Sequence, residues 1–221
     1  MEIIEGVHQV KGVNGNVYIV VNGKELTIVD TGLPRSAKKI LNYIQELGYQ
    51  QSNISTIILT HFHLDHVGSA LQLKNDTKAK VAVHKDEADY VSGKKRPPKL
   101  GNLFYRAVSS LIKASPVQPD IILNDNDKIG NLKVIHTPGH TPGSISLLDE
   151  ERQLLFVGDA LRTKGKRVTG PSEEFSNNKA EAENSIGKIV SLKFDIMLPG
   201  HGEPLRQSAS DVVKKFYESL K

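Results

Sequence analysis

Residues 60–68 read Thr-His-Phe-His-Leu-Asp-His-Val-Gly, and they place His61, His63, Asp65 and His66 within six positions. This stretch follows residues 56–59, Thr-Ile-Ile-Leu, an apolar and mostly β-branched run that predicts a buried strand. The strand period of two sets His61 and His63 on one face and turns Phe62 to the other. Asp65 and His66 come one step later, where the strand gives way to a turn or to the start of a helix. Neutral imidazole nitrogen and carboxylate oxygen are ligands that suit zinc, iron or manganese. One histidine at a strand end is ordinarily a packed or exposed residue. Three within six positions, with an aspartate among them, point instead to a metal site.

Two later segments supply further ligands of the same kind. Residues 137–143, Thr-Pro-Gly-His-Thr-Pro-Gly, hold His140 between two Pro-Gly turns that fix the backbone around it. Residues 198–202, Leu-Pro-Gly-His-Gly, repeat the design with a glycine on each side of His201. Between them residues 154–160, Leu-Leu-Phe-Val-Gly-Asp-Ala, predict an apolar strand that ends in Gly158 and Asp159. Taken singly these are weak signals, since a histidine beside glycine is usually a loop residue and an aspartate at a strand end is usually a helix cap. Their order after the first motif gives them force.

With these motifs the chain resembles the metallo-β-lactamase superfamily of hydrolases from residue 17 to residue 204. The resemblance rests on Asp30-Thr31-Gly32, on His61-x-His63-x-Asp65-His66, and then on His140, Asp159 and His201. It implies that His61, His63 and His140 hold a first metal, that Asp65, His66 and His201 hold a second, and that Asp159 bridges the two. Asp65 and Asp159 are thereby the carboxylates assigned to catalysis. Asp30 is implied not as a ligand but as an outer carboxylate that orients the ligand loop; a polar strand end capping the next helix is the plainer reading. The implied cofactor is a pair of divalent ions, zinc first, with iron or manganese as alternatives. Two such ions ~3.5–4 Å apart share a water and lower its pKa toward neutrality, giving a hydroxide nucleophile without Ser or Cys.

The fold implied is α+β, a four-layer αββα sandwich with two mixed sheets face to face and helices outside. Residues 24–31 and 152–159 echo one another, each a hydrophilic turn leading into an apolar strand that ends in aspartate. Periodicity alone gives only mixed α and β. It predicts a hairpin over 17–29 around Asn22-Gly23, and helices over 36–47, 66–74, 86–92, 101–114, 179–192 and 208–220. Strands are expected over 80–83, 132–136, 144–148, 153–157 and 195–198.

A chain of 221 residues fits one domain, residues 1–221. No window has the ~20 apolar residues of a membrane span. The start, Met1-Glu2-Ile3-Ile4-Glu5, is acidic where a secretory signal is basic, so a cytoplasmic location is expected. The absence of cysteine excludes disulfides, thiolate ligands, a cysteine nucleophile and the lactamase type with a Cys on its second metal. The net charge is +4, and the basic stretches at 94–99 and 164–167 are ordinarily solvated loops. Their functional alternative is attraction of an anionic substrate or nucleic acid. No aromatic residues alternate with the basic ones, so nucleic acid is not expected. The partner expected is a small-molecule substrate, with no membrane; a homodimer is allowed.

The expected reaction is hydrolysis of a small ester-like, lactone or thioester carbonyl compound. A phosphoester hydrolase is the first alternative, favoured by the basic stretches, and a single-iron oxidoreductase acting on a persulfide is the second. Relatives that hydrolyse glutathione thioesters normally follow the bridging aspartate with a Gly-Arg segment, whereas Asp159 is followed by Ala160-Leu161-Arg162. Lactonases recruit a tyrosine from a variable loop, for which Tyr18, Tyr90 and Tyr105 are candidates. Of the other histidines, His136 is expected to be a packed or hydrogen-bonded neighbour, His8 structural or exposed, and His84 a helix-start residue near a pocket edge. Phe104 and Tyr105 are expected in packing rather than in a lid.

Overall fold

Alternating β-branched and apolar residues build both sheets of the protein. The computed structural model describes residues 1–98, 114–165 and 167–221, in two compact units, residues 1–122 and 123–221. The first carries a seven-stranded sheet in chain order: β1 (Glu2–Ile4), β2 (Val7–Val10), β3 (Val17–Asn22), β4 (Glu25–Val29), β5 (Ile54–Leu59), β6 (Lys80–His84) and β7 (Ile121–Leu123). The strands β1 to β4 run antiparallel, and β4, β5 and β6 are parallel. The β3–β4 hairpin closes on two residues, Gly23 and Lys24, with Asn22 opposite Glu25.

Helix α1 (Ala37–Glu46) lays Ala37, Ile40 and Ile44 against this sheet, at the three- and four-residue spacing of one helix face. They meet Val17, Ile19, Leu26, Ile28, Ile57, Leu59, Val81 and Val83, the alternate residues of β3 to β6. Each such fully buried aliphatic side chain contributes about 1.5–3 kcal/mol. Tyr18, Val20, Val29, Ile58 and Ala82, on the opposite face of the same strands, are buried as well. Burial on both faces is the reason these strands read as continuous apolar runs.

The predicted helix over 66–74 is two helices, α2 (Leu64–Val67) and α3 (Ala70–Thr77). Gly68 and Ser69 lie between them, and Gly68 is pressed against Pro34, where a Cβ would stand 2.4 Å from the proline nitrogen. Ser69 then turns its hydroxyl to the Leu33 carbonyl, and that oxygen receives the Ser36 N–H. Helix α4 (Lys85–Val91) follows β6 directly, with the His84 Nδ1 accepting the Asp86 N–H at its start. The helix predicted over 101–114, with Phe104 and Tyr105, lies outside the described residues, as do Lys99 and Lys166.

The second unit holds a five-stranded sheet ordered β14-β11-β10-β9-β8. Its strands are β8 (Lys128–Ile129), β9 (Leu132–His136), β10 (Ile145–Asp149), β11 (Leu154–Gly158) and β14 (Ile196–Pro199). Only the β11–β14 pair is parallel; the other pairs are antiparallel. Helices α5 (Lys179–Val190) and α6 (Ala209–Glu218) cover one face, packing Ile186, Ile189, Ala209 and Val213 on Ile135, Leu148, Leu155, Val157 and Met197. A separate ribbon of β12 (Arg162–Lys164) and β13 (Arg167–Thr169) follows β11. The short strands β1, β2, β7, β8, β12 and β13 had no sequence counterpart among the expected elements. With two mixed sheets and flanking helices in the chain, the class is α+β.

The echo between residues 24–31 and 152–159 has a structural form. Strand β4 leads to Asp30 and is parallel to β5, which leads to His61; β11 leads to Asp159 and is parallel to β14, which leads to His201.

Candidate metal centre

In the first unit β5 stops at Leu59, so His61 and His63 stand in the loop between β5 and α2 rather than on the strand itself. Their rings nevertheless come together, with centroids 4.8 Å apart, and the His66 ring lies 4.0 Å from that of His61. Phe62 meets the His63 ring edge-on at 5.0 Å and stacks on Tyr90 at 4.5 Å, with Lys95 Nζ 4.7 Å from the tyrosine ring centre. His63 ends the loop and caps α2, its carbonyl accepting from the N–H groups of His66 and Val67. Asp65, in the first turn of α2, brings Oδ1 to 4.0 Å from His66 Nε2.

Asp30 is the hub that fixes this loop. Its φ of 60° is left-handed, a conformation aspartate tolerates better than most residues. Its Oδ1 accepts the Thr60 N–H at 2.7 Å, and its Oδ2 accepts both the Thr60 hydroxyl and His66 Nδ1–H at 2.8 Å. Thr31 takes hold of His66 from the other end, its N–H and hydroxyl both donating to the His66 carbonyl at 2.8 Å. The carboxylate therefore touches His66 directly, and the reading of Asp30 as a helix cap does not describe it.

These bonds decide which nitrogens face inward. The single hydroxyl proton of Thr60 goes to Asp30, so Thr60 Oγ1 accepts from His61 Nδ1–H at 3.0 Å. A carboxylate only accepts, so His66 also carries its proton on Nδ1. Both histidines thus present Nε2 as a lone-pair donor, the arrangement in which outer partners orient metal-bound imidazoles.

The loop between β2 and β3 leans on the same motif. Gly15, with φ +73°, lies so close to Asp65 that a Cβ there would stand 2.1 Å from the Asp65 carbonyl oxygen.

In the second unit His140 sits in the 137–143 loop, which closes by Thr137 N–H to the Ser144 carbonyl at 2.9 Å and Thr141 to Ser144 hydroxyl contact at 2.7 Å. The Gly139 carbonyl accepts from the N–H groups of Asn177 and Asn178, joining this loop to the start of α5. Ser176 donates its hydroxyl to the Ser172 carbonyl at 2.6 Å and so accepts from His140 Nδ1–H at 3.1 Å. His140 too presents Nε2.

Asp159 and His201 complete this half. The Gly200 N–H meets the Gly158 carbonyl at 2.6 Å, setting the two strand ends side by side. Asp159 Oδ2 then lies 3.5 Å from His140 Nε2 and 3.4 Å from His201 Nε2. For His140, whose Nε2 carries the lone pair, facing a carboxylate oxygen is repulsive unless a cation stands between them. The separations exceed the ~2.7–2.9 Å of a charge-assisted hydrogen bond. They match the spacing of about 3.4 Å between two donors each bound at about 2.0–2.1 Å to one tetrahedral ion. The donor set of imidazole and carboxylate, without thiolate, fits divalent zinc or iron.

The remaining histidines lie elsewhere in their networks. His136 Nε2 donates to the Pro142 carbonyl at 2.9 Å, the neighbour role expected of it. His8 is buried against Tyr43, and burial lowers its pKa from the ordinary value. His84 begins α4 as expected. Tyr18 is buried within β3. Sequence reasoning missed Thr60 and Ser176. Thr60 adjoins the motif and offered a signal through its position; Ser176 lies 36 residues from His140 and offered none.

A family model described as the metallo-beta-lactamase superfamily matches residues 10–201. The chain is 30% identical to the probable metallo-hydrolase YflN of Bacillus subtilis (strain 168), over 92% of this chain and 86% of that one. It is 29% identical to the hydroxyacylglutathione hydrolase GloC of Haemophilus influenzae, over 81% of each. Its fold matches that of BJP-1, a subclass B3 metallo-β-lactamase of Bradyrhizobium japonicum, with a TM-score of 0.77 at 23% identity, covering 100% of this chain and 89% of that one.

Proposed function

The chain belongs to the metallo-β-lactamase superfamily of metal-dependent hydrolases, and on that premise we propose that it hydrolyses a small thioester or ester-like carbonyl substrate with two divalent ions. His61, His63 and His140 would hold the first ion, and Asp65, His66 and His201 the second. Asp159 would bridge them. The observation that carries this reading is the position of Asp159 Oδ2, nearly equidistant from one imidazole of each set. The thioester class is favoured over lactones by the likeness to GloC, a hydroxyacylglutathione hydrolase.

The chemistry that divalent ions would supply here is a water of lowered pKa and polarisation of the carbonyl oxygen. The protein's own part is to hold the donors still. Asp30 and Thr60 keep the protons of His66 and His61 on Nδ1, and Ser176 does the same for His140. Asp159 would contribute the negative charge that offsets repulsion between two bound cations.

A second reading, a phosphoester substrate, is favoured by the β12–β13 ribbon. Pairing of Arg162 with Thr169 and of Lys164 with Arg167 sets Arg162, Lys164 and Arg167 on one face. Thr163 and Val168, on the other face, are buried, and the Thr163 N–H donates to the His201 carbonyl at 3.2 Å. The test is metal content of protein purified without added metal, joined to a hydrolysis screen over thioesters, lactones and phosphoesters. Two ions per chain with thioester turnover are expected. Turnover of phosphoesters alone replaces the substrate class, and one iron per chain with oxygen consumption overturns the hydrolytic reading.

A further inference from the structure

We propose that Glu87 is a positioning residue for the His61–His63 pair, gripping the first of the two peptides that join those residues. The proposal rests on the reading that His61 and His63 hold a metal. Glu87 lies on α4 and is fully buried. Its Oε2 accepts the Phe62 N–H at 2.7 Å. That N–H belongs to the peptide joining His61 to Phe62, so its direction fixes the ψ of His61 and the φ of Phe62. Those two dihedrals are among the torsions that set how the side chain of His61 stands to that of His63.

The same helix grips Phe62 a second time. Tyr90, one turn beyond Glu87, stacks on the Phe62 ring at 4.5 Å with an interplanar angle of 30°. Backbone and side chain of Phe62 are thus both held by α4, while Asp30 holds Thr60 and His66 from the opposite direction of the chain. Burying a carboxylate is costly unless donors compensate it, and no step assigned above employs Glu87 chemically. Its position is accounted for by what it does to the loop: a charged acceptor makes a stronger and more directional bond to an N–H than a neutral one.

The experiment titrates Co2+ into metal-free protein in competition with a chromophoric chelator, alongside thermal unfolding of the metal-free protein. E87M, which keeps the volume and removes the acceptor, is expected to bind its first Co2+ about 10–100-fold more weakly. E87Q still offers a side-chain oxygen and is expected to stay within a factor of about three of wild type. A role in packing alone would move the unfolding temperature of both variants and leave Co2+ affinity unchanged. Wild-type affinity in E87M, or E87Q as impaired as E87M, overturns the proposal. If E87M does not fold, E87D carries the comparison, because its carboxylate is drawn back by one methylene: weakened binding supports the assignment and wild-type binding removes it. H61A separates the two levels. Unaltered Co2+ binding in H61A overturns the metal-site reading itself, whereas loss in H61A with none in E87M removes Glu87 alone.

Discussion

Asp30 Oδ2 and His66 Nδ1 lie 2.8 Å apart although 36 residues separate them in the chain. The bond joins the end of β4 to α2 and leaves His66 with its lone pair on Nε2. Asp30→Asn keeps the shape but turns an amide NH2 toward one of the donors Thr60 N–H, Thr60 hydroxyl or His66 Nδ1–H. The expected result is metal affinity lower by about 10–100-fold, measured as ions retained after dialysis against a chelator. Full retention would show that His66 needs no such orienter.

Asp159→Asn should abolish retention of one ion and most turnover, since a neutral amide places no charge beside His140 Nε2 and His201 Nε2. Metal analysis and initial rates on the same preparation check it. A variant with two ions and an unchanged rate contradicts the bridging role.

Ser176→Ala removes the acceptor that keeps the His140 proton on Nδ1. Metal affinity is expected to fall by about tenfold, less than for the loss of Asp159. Unfolding of the metal-free protein should change little, because Ser176 is only partly buried. Isothermal titration of zinc into both proteins gives the comparison.

Gly15→Ala introduces a Cβ 2.1 Å from the Asp65 carbonyl oxygen at a φ of +73°. Either the β2–β3 loop or the start of α2 must shift, and a loss of about 2 kcal/mol or more is expected. Chemical denaturation of the metal-free protein measures it; an unchanged midpoint would mean that the loop yields without cost.

Acid should weaken the fold independently of metal. Burial raises the pKa of Asp125, but the His136 N–H and the Lys188 ammonium together outweigh it and leave the carboxyl below its ordinary value. Asp120 is held low in the same way, burial being outweighed by Lys74 and the Val81 N–H. A carboxyl with a depressed folded pKa stabilises above its unfolded value, about 3.9, and that stabilisation is lost as pH falls through the folded value. Denaturation of the metal-free protein between pH 6 and 3 should therefore steepen below about pH 4, and D120N/D125N should flatten the decline. An identical decline in the double variant would assign it to other groups.

The candidate ligands were legible because they are concentrated in short motifs. Within residues 61–66 no ordinary core or loop accounts for three histidines and an aspartate, and the Pro-Gly and Gly-Gly frames around His140 and His201 mark rigid turns. Long, strongly apolar strands such as β5 and β11 were equally plain. The break between α2 and α3 was hidden, as was the packing of Gly68 on Pro34, a contact remote in sequence. The short strands β1, β7 and β8 carry too few residues to display a period. Ser176 and Glu87 were invisible for the same reason as Gly68: each acts on a loop that only folding brings near.

Asp30 and Asp159 close sister strands, yet the first spends its oxygens on protons from Thr60 and His66 while the second faces two ring nitrogens. A carboxylate already saturated by its own polypeptide has little basicity left to offer an ion. Asp30 would accordingly hold its place whether or not an ion is bound, whereas Asp159 is the carboxylate whose surroundings loading would change.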